Sequence, residues 1–290
     1  MSDRGLTKNF ALSKVAGTSV YLKLDSSQPT GSFKIRGIGH LCKTVMQYLM
    51  YLVPTGGNAG TAAAYSARQL LIPATIVVPS VTPGPTVERL KDEADVVIYG
   101  KVVDYGQQLF GHTSLVKELE QDLREKPGAV VLSVGGGGLL NGVVEGLRRA
   151  GWNDVPIVAM ETIGAHSLNA AMKAGELVTL PEITSVATTL GLTRVSKQTM
   201  KLVQEHTVFS ELVTDQAAVK AVERFVDDEK ILVEPACGAA LAAVYCDIIK
   251  RLQDEDKLAK QLGPVVIVVC GGNNISMEQL WRLKKQLAIF

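Results

Sequence analysis

Short, almost wholly apolar runs punctuate this chain, and between them apolar positions recur every three or four residues. Runs such as Ala74–Pro79, Ala129–Val134 and Val265–Cys270, bounded by Gly, Pro and polar residues, read as strands buried on both faces. The pattern also predicts strands over 21–24, 48–53, 95–99, 157–161 and 208–213. Helices are predicted over 11–15, 33–46, 61–70, 86–91, 115–124, 139–149, 167–174, 215–228 and 276–287, with one long helix over 236–252. Residues 1–20 are otherwise weakly patterned, and 176–200 read as loop and short helix. Strand and helix alternate throughout, which implies an α/β protein with open, mostly parallel sheets covered by helices. Two lobes are expected: a small one over 28–110, and a large one made of 1–27 and 111–290. The segment 100–111 is too brief for a further helix and strand.

Composition narrows the function classes. With 47% hydrophobic and 20% charged residues, the 290-residue chain is globular. A net charge of +1 gives no electrostatic footprint for nucleic acid or a membrane surface. Twenty-seven glycines against 5% aromatics favour tight backbone turns around a small ligand over a stacking platform. No apolar stretch reaches membrane-spanning length, and the first residues lack the apolar core of a signal peptide. Cys42, Cys237, Cys246 and Cys270 are widely spaced, without zinc-finger spacing. They read as reduced, buried thiols of a cytoplasmic protein.

The residues with chemical promise sit where predicted strands give way to helices. Lys34 falls in the first turn of helix 33–46, between Phe33 and Ile35, with Ser32 as a candidate cap. A helix N-terminus and partial burial both disfavour an ammonium there. The neutral amine is the form that condenses with an aldehyde. Gly135-Gly136-Gly137-Gly138 lies between a buried strand and a helix, an arrangement that turns successive amides inward around an anion such as a phosphate. It matches neither the dinucleotide fingerprint nor the Walker loop. Thr55 to Gly60, which carries Asn58, and Cys270-Gly271-Gly272-Asn273-Asn274 are two further loops of this kind. Three such loops at strand carboxyl ends suit the crevice of an open sheet.

Taken together, five strings resemble the serine dehydratase/threonine deaminase family of pyridoxal-phosphate enzymes, which have the tryptophan synthase β-like fold (fold type II). They are Gln28 to Gly37, Gly56 to Gly60, Gly135 to Leu139, Val233 to Ala239 and Val268 to Asn274, in the family's order and across nearly the whole chain. The resemblance implies pyridoxal 5′-phosphate as cofactor and Lys34 as its Schiff-base lysine. It also implies Phe33 over one face of the ring, Asn58 at the 3′-oxygen, and Gly135, Gly136, Gly137, Gly138 and Leu139 around the phosphate. Cys270 would stand opposite the ring nitrogen. Ser32, Thr55, Gly56, Gly57, Asn58 and Ala59 would meet the amino-acid substrate. Glu161, Ala165, Leu190 and Leu192 match the family's monovalent-cation site, for which K+ is the candidate. A homodimer is implied as well.

The activity so implied is β-elimination of L-serine and L-threonine to pyruvate or 2-oxobutyrate and ammonia, with the Lys34 amine taking the Cα proton. A thiol at 270 favours prompt elimination over transamination. Gly56 stands where the serine racemases of this fold place a proton-moving serine, which ranks racemase below dehydratase. A catalytically weak or silent relative that only binds the cofactor, and a racemase or cysteine synthase, are the competing readings. Between Tyr99 and His112 the family carries a further helix, a strand and an aromatic loop that this chain lacks, which would leave the small lobe's sheet with an uncovered edge.

Overall fold

The computed structural model describes residues 5–45, 51–54, 57–78, 80, 82, 84–98 and 109–290. The expected start of a strand at 48–50, Pro79, Tyr99 and most of the segment 100–111 lie outside them.

The chain opens with strand β1 (Leu6–Asn9), helix α1 (Phe10–Ala16) and strand β2 (Val20–Leu24). Next come α2 (Lys34–Val45), β3 (Tyr51–Pro54), α3 (Gly57–Gln69), β4 (Ala74–Val78), α4 (Gly84–Lys91) and β5 (Asp95–Ile98). After the short α5 (Leu109–His112) follow α6 (Ser114–Asp122), β6 (Ala129–Ser133), α7 (Gly138–Arg149), β7 (Ile157–Thr162), α8 (Ser167–Ala174), α9 (Lys197–Glu205) and β8 (Val208–Val213). The chain ends with α10 (Asp215–Glu229), α11 (Pro235–Tyr245), α12 (Ile248–Asp254), β9 (Val265–Val269) and α13 (Met277–Gln286).

Two sheets organise these elements. A six-stranded sheet runs β1-β2-β9-β6-β7-β8 and is parallel except for the β1–β2 pair. Its central strands β6, β7 and β9 are buried at every position, as mainly apolar runs should be when helices cover both faces. A parallel three-stranded sheet, β3-β4-β5, packs its own core of Ile76, Val78, Ile35, Ile38 and the small residues of α3. Val97 and Ile98 of its edge strand β5 are exposed.

Two elements depart from the pattern. β1 joins the large sheet although its alternation is too short to register, and its Asn9 caps α1 through a 2.8 Å bond from the Leu12 amide. The helix expected over 236–252 is two helices, α11 and α12. Asp247 takes the left-handed conformation at φ 56° between them, although the apolar spacing runs on through Ile248, Ile249 and Leu252. Cys246, at this break, is exposed rather than buried.

The two sheets meet at the carboxyl end of β9. Ser32 bridges Gly271, the Phe33 amide donates to the Cys270 carbonyl at 3.1 Å, and the Gly272 amide donates to the Gly31 carbonyl at 2.8 Å. Gly271 and Gly272 have φ of 81° and 122°, and a Cβ on Gly271 would lie 2.3 Å from the Gly31 carbonyl oxygen. The start of α2 is thereby pinned beside β9 and its neighbour β6, the strand that feeds the four-glycine run.

Candidate active site

A cleft with about 580 Å³ of empty volume opens at this junction. Phe33, Lys34 and Asn58 line it from one side. The loop from Ser133 to Leu140, Thr189, Leu190, Leu192, Glu234, Ala236, Cys270 and Gly271 line it from the other.

Lys34 is the first residue of α2. It is only partly covered by area, yet protein surrounds it closely enough that burial lowers its amine's pKa, with Cys270 and Glu234 opposing more weakly. Its Nζ lies 5.0 Å from the centre of the Phe33 ring, and that ring sits 5.2 Å from the buried imidazole of His112. Ser32 does not cap the helix; its buried Oγ has no hydrogen-bond partner among the described residues.

The glycine run has the geometry of an anion cradle. Gly137 has φ 93°, and the amides of Gly135 to Leu139 donate to no backbone carbonyl among the described residues. Two of these glycines leave no room for a side chain. A Cβ on Gly136 would fall 2.5 Å from Leu192, and one on Gly137 would fall 2.1 Å from the Thr199 hydroxyl. Thr199 is itself held by Ser196, the cap of α9. Free amides at the start of a twelve-residue helix, two of them on glycines whose Cβ would clash, fit a phosphate.

Cys270 closes the floor of the cleft. A hydrogen bond with Cys237 and its own burial push its thiol well above the ordinary range, so the group is a neutral S–H at physiological pH. Asn58 is held at both ends: its Nδ2 donates to Glu234 at 2.9 Å, and its Oδ1 accepts the Asn273 amide at 2.9 Å.

The expected site residues separate into groups. Phe33, Lys34, Asn58, Gly135 to Leu139, Cys270, Leu190 and Leu192 converge on the cleft. Gly57, with φ 61°, and buried Ala59 flank Asn58 at the start of α3, while Thr55 and Gly56 lie outside the described residues. Glu161 does not line the cleft. Its two oxygens accept the Leu168 and Asn169 amides, each at 2.8 Å, at the start of α8. Burial outweighs those bonds and pushes its carboxyl up to about 7. Ala165 sits in the turn between Glu161 and α8. Among the described residues no three His, Cys, Asp or Glu side chains cluster as a metal site would need.

Sequence reasoning assigned no role to Glu234, Thr189, Ser133 or His112. Glu234 left one signal, an acid in the apolar run Leu232-Val233-Glu234-Pro235-Ala236. His112 left none. Only the fold places it at Phe33, where burial together with Lys34 and Arg36 takes its imidazole down to about 3.

Known proteins share this arrangement. A family model described as "Pyridoxal-phosphate dependent enzyme" matches residues 6–109 and 97–271. The L-serine dehydratase/L-threonine deaminase of Mus musculus is 58% identical over 310 residues, covering 98% of this chain and 95% of that protein. The serine dehydratase-like protein of Rattus norvegicus is 54% identical over 307 residues, covering 97% and 93%. The crystal structure of a fungal L-serine ammonia-lyase from Rhizomucor miehei superposes with a TM-score of 0.90 at 34% identity, covering 98% of each chain. No helix among the described residues is long and apolar enough to cross a membrane. The two open, mostly parallel sheets, the amine and glycine cradle between them, and these likenesses carry one conclusion: the chain belongs to the serine dehydratase/threonine deaminase family of pyridoxal-phosphate dependent enzymes.

Proposed function

We propose that this protein is a pyridoxal-phosphate dependent lyase that performs β-elimination on L-serine and L-threonine, releasing pyruvate or 2-oxobutyrate and ammonia. One observation carries the proposal: the Lys34 amine, its pKa lowered by burial, shares a cleft with the free amides of the four-glycine run. The cofactor, when bound, supplies the electron sink that makes the substrate's Cα proton acidic.

The residues present fit that group and divide its work. The amides of Gly135 to Leu139 would hold the phosphate at the positive end of α7. Asn58, with one Nδ2 hydrogen given to Glu234, would offer the other to the 3′-oxygen. Phe33, braced by His112, covers one face of the ring. The Cys270 thiol, held as S–H, places no negative charge at the ring nitrogen and so does not enforce its protonation. With the cofactor bound, a neutral thiol there would favour loss of the β-hydroxyl over transamination. Lys34 takes the Cα proton, for which a neutral amine is required. Ser32, Thr55, Gly56, Gly57 and Ala59 surround Asn58 and Lys34 in sequence and are assigned to the substrate carboxylate.

We further infer a monovalent cation, K+, beside Glu161, Ala165, Leu190 and Leu192. A buried carboxylate pushed up to about 7 is a group short of positive charge. The working unit is taken to be a homodimer in the cytoplasm.

The test is to purify the chain with pyridoxal phosphate, record its visible absorbance, and assay keto acid from L-serine, L-threonine and O-acetyl-L-serine, with chiral analysis of the remaining serine. Pyruvate from L-serine and a visible band that Lys34→Ala abolishes are expected. A colourless wild-type protein, or D-serine as the main product, would overturn the proposal. A coloured protein that forms no keto acid would mark a silent, cofactor-binding relative.

A further inference from the structure

Glu234 precedes α11 and has the extended backbone of a helix cap, yet its side chain makes no capping bond. The carboxylate turns into the cleft instead and is 97% buried, at 3% exposure. Oε1 accepts three donors: Asn58 Nδ2 at 2.9 Å, the Asn274 amide at 2.8 Å and Asn274 Nδ2 at 3.0 Å. Oε2 accepts the Thr189 hydroxyl at 2.6 Å. Gly272, at φ 122°, makes room for it, since a Cβ there would lie 2.1 Å from Glu234 Cδ.

These partners belong to different parts of the molecule. Asn58 is on α3, packed on the small sheet, while Thr189 and Glu234 stand on the large-sheet side. Asn274 passes the connection onward, for its Oδ1 accepts the α4 hydroxyl of Thr86 at 2.8 Å, and the neighbouring Asn273 carbonyl accepts Arg89 of α4 at 2.8 Å. The Glu234 carboxylate thus binds directly to Asn58 of α3 and to Asn274, the residue that accepts Thr86 of α4, while Asn58–Asn273 and Arg89–Asn273 bonds run beside it.

The same bonds fix Asn58. A carboxylate only accepts and a backbone amide only donates, so the Asn58 side chain has one orientation that satisfies both neighbours. That orientation leaves a single Nδ2 hydrogen uncommitted. We propose that Glu234 is a positioning residue: its carboxylate latches α3 and α4 onto the large-sheet side and thereby aims the free Asn58 hydrogen into the cleft. The second half rests on the cofactor reading given above; the latch itself does not. With four donors on its two oxygens, Glu234 acts through the side chains it holds.

Hydrogen exchange on the full-length chain, with and without added pyridoxal phosphate, tests the latch in wild type, Glu234→Ala and Glu234→Gln. Gln can keep its oxygen on the three donors and turn its amide to the Thr189 hydroxyl. The expected result in Glu234→Ala is exchange at least tenfold faster in α3, α4 and 271–274, with α7 and α10 unchanged within twofold. Glu234→Gln should stay within twofold of wild type everywhere. Pyridoxal phosphate should bind Glu234→Ala at least tenfold more weakly, with the visible band of the bound form shifted. Asn274→Ala is a second variant that removes one donor and the link to Thr86, and it should loosen α4 alone. Exchange that is unchanged in Glu234→Ala, that rises equally in both halves, or that rises as far in Gln as in Ala would overturn the latch. Should Glu234→Ala fail to fold, unchanged α4 exchange in Asn274→Ala would do the same. A wild type that takes up no cofactor yet shows the selective loosening would defeat the cofactor reading and leave the latch standing.

Discussion

Lys34 and Arg36 are two cations two residues apart on one helical turn, and the fold treats them in opposite ways. Arg36 is fully buried and fully paired. Its guanidinium takes both oxygens of Asp25 at 2.7 Å, both oxygens of Glu118 at 2.6 and 2.7 Å, and the Ser114 hydroxyl at 2.9 Å. Lys23 adds a fourth charge, 2.5 Å from Glu118, so the cluster is neutral overall. Burial works against the guanidinium, but the bonds to Glu118 and Asp25 outweigh it and hold its pKa above the ordinary value. Glu118 is pushed up by burial and carried below its ordinary value by Arg36 and Lys23. At Lys34 burial prevails over the weaker opposing pull of Cys270 and Glu234. Burial alone does not decide a charge state; the supply of directed, ionised acceptors does. The paired arginine ties α2 to the turn after β2 and to α6, and that turn of helix carries the reactive amine.

The contrast is broken most severely at its paired end. Arg36→Met leaves the Asp25 carboxylate buried with neither of its side-chain bonds, and should cost about 3–5 kcal/mol of unfolding free energy in urea titrations. Arg36→Met combined with Asp25→Asn and Glu118→Gln should recover a large part of that loss. A single variant within about 1 kcal/mol of wild type would show that the cluster is solvated, and that the two cations differ less than their surroundings imply.

Glu161 stands between these extremes, a buried acid satisfied by two amides but by no cation among the described side chains. Its folded pKa of about 7 lies above its unfolded value of 4.5. Below pH 4.5 the group is protonated in both states and has no effect on stability. As pH rises from there to about 7 the unfolded chain releases its proton first, so stability falls, and above about 7 the loss is complete. The shift corresponds to about 3 kcal/mol. Urea titrations at pH 5 and pH 8 in choline buffer should show the drop in wild type and a much smaller one in Glu161→Gln. Replacing choline by K+ should flatten the wild-type slope, because a cation lowers the folded pKa. Parallel slopes for the two proteins would assign the carboxylate no such role.

Much of this is legible in the amino-acid sequence. Apolar runs marked β4, β6 and β9 because strands covered on both faces need no alternation. The helix over 167–174 and the strand over 208–213 match the folded elements residue for residue. Lys34 and the four-glycine run stood out because each is costly where it stands. What stayed hidden depended on distance along the chain. Glu234 and Asn58 are 176 residues apart, and Asn58 and Asn273 are 215 apart. No local periodicity encodes such pairs. The break between α11 and α12 was hidden for the opposite reason: the apolar spacing is continuous, and one left-handed Asp247 overrides it.

The smallest effect lies at Lys34 and has the opposite sign. Lys34 keeps an amine in a setting that disfavours its charged form, so the folded state carries a cost for the reactive group. Lys34→Met has similar length and no charge. It should stabilise the cofactor-free protein by roughly 1 kcal/mol while abolishing both the visible band and keto-acid release. Differential scanning of the two proteins without pyridoxal phosphate, at equal concentration, reads this as a rise in Tm of a few degrees at most. Added pyridoxal phosphate should reverse the order, because only the wild type gains stability from covalent capture. A fall in Tm for cofactor-free Lys34→Met would mean that the amine is stabilised by its surroundings after all. The two cations on this turn would then be alike.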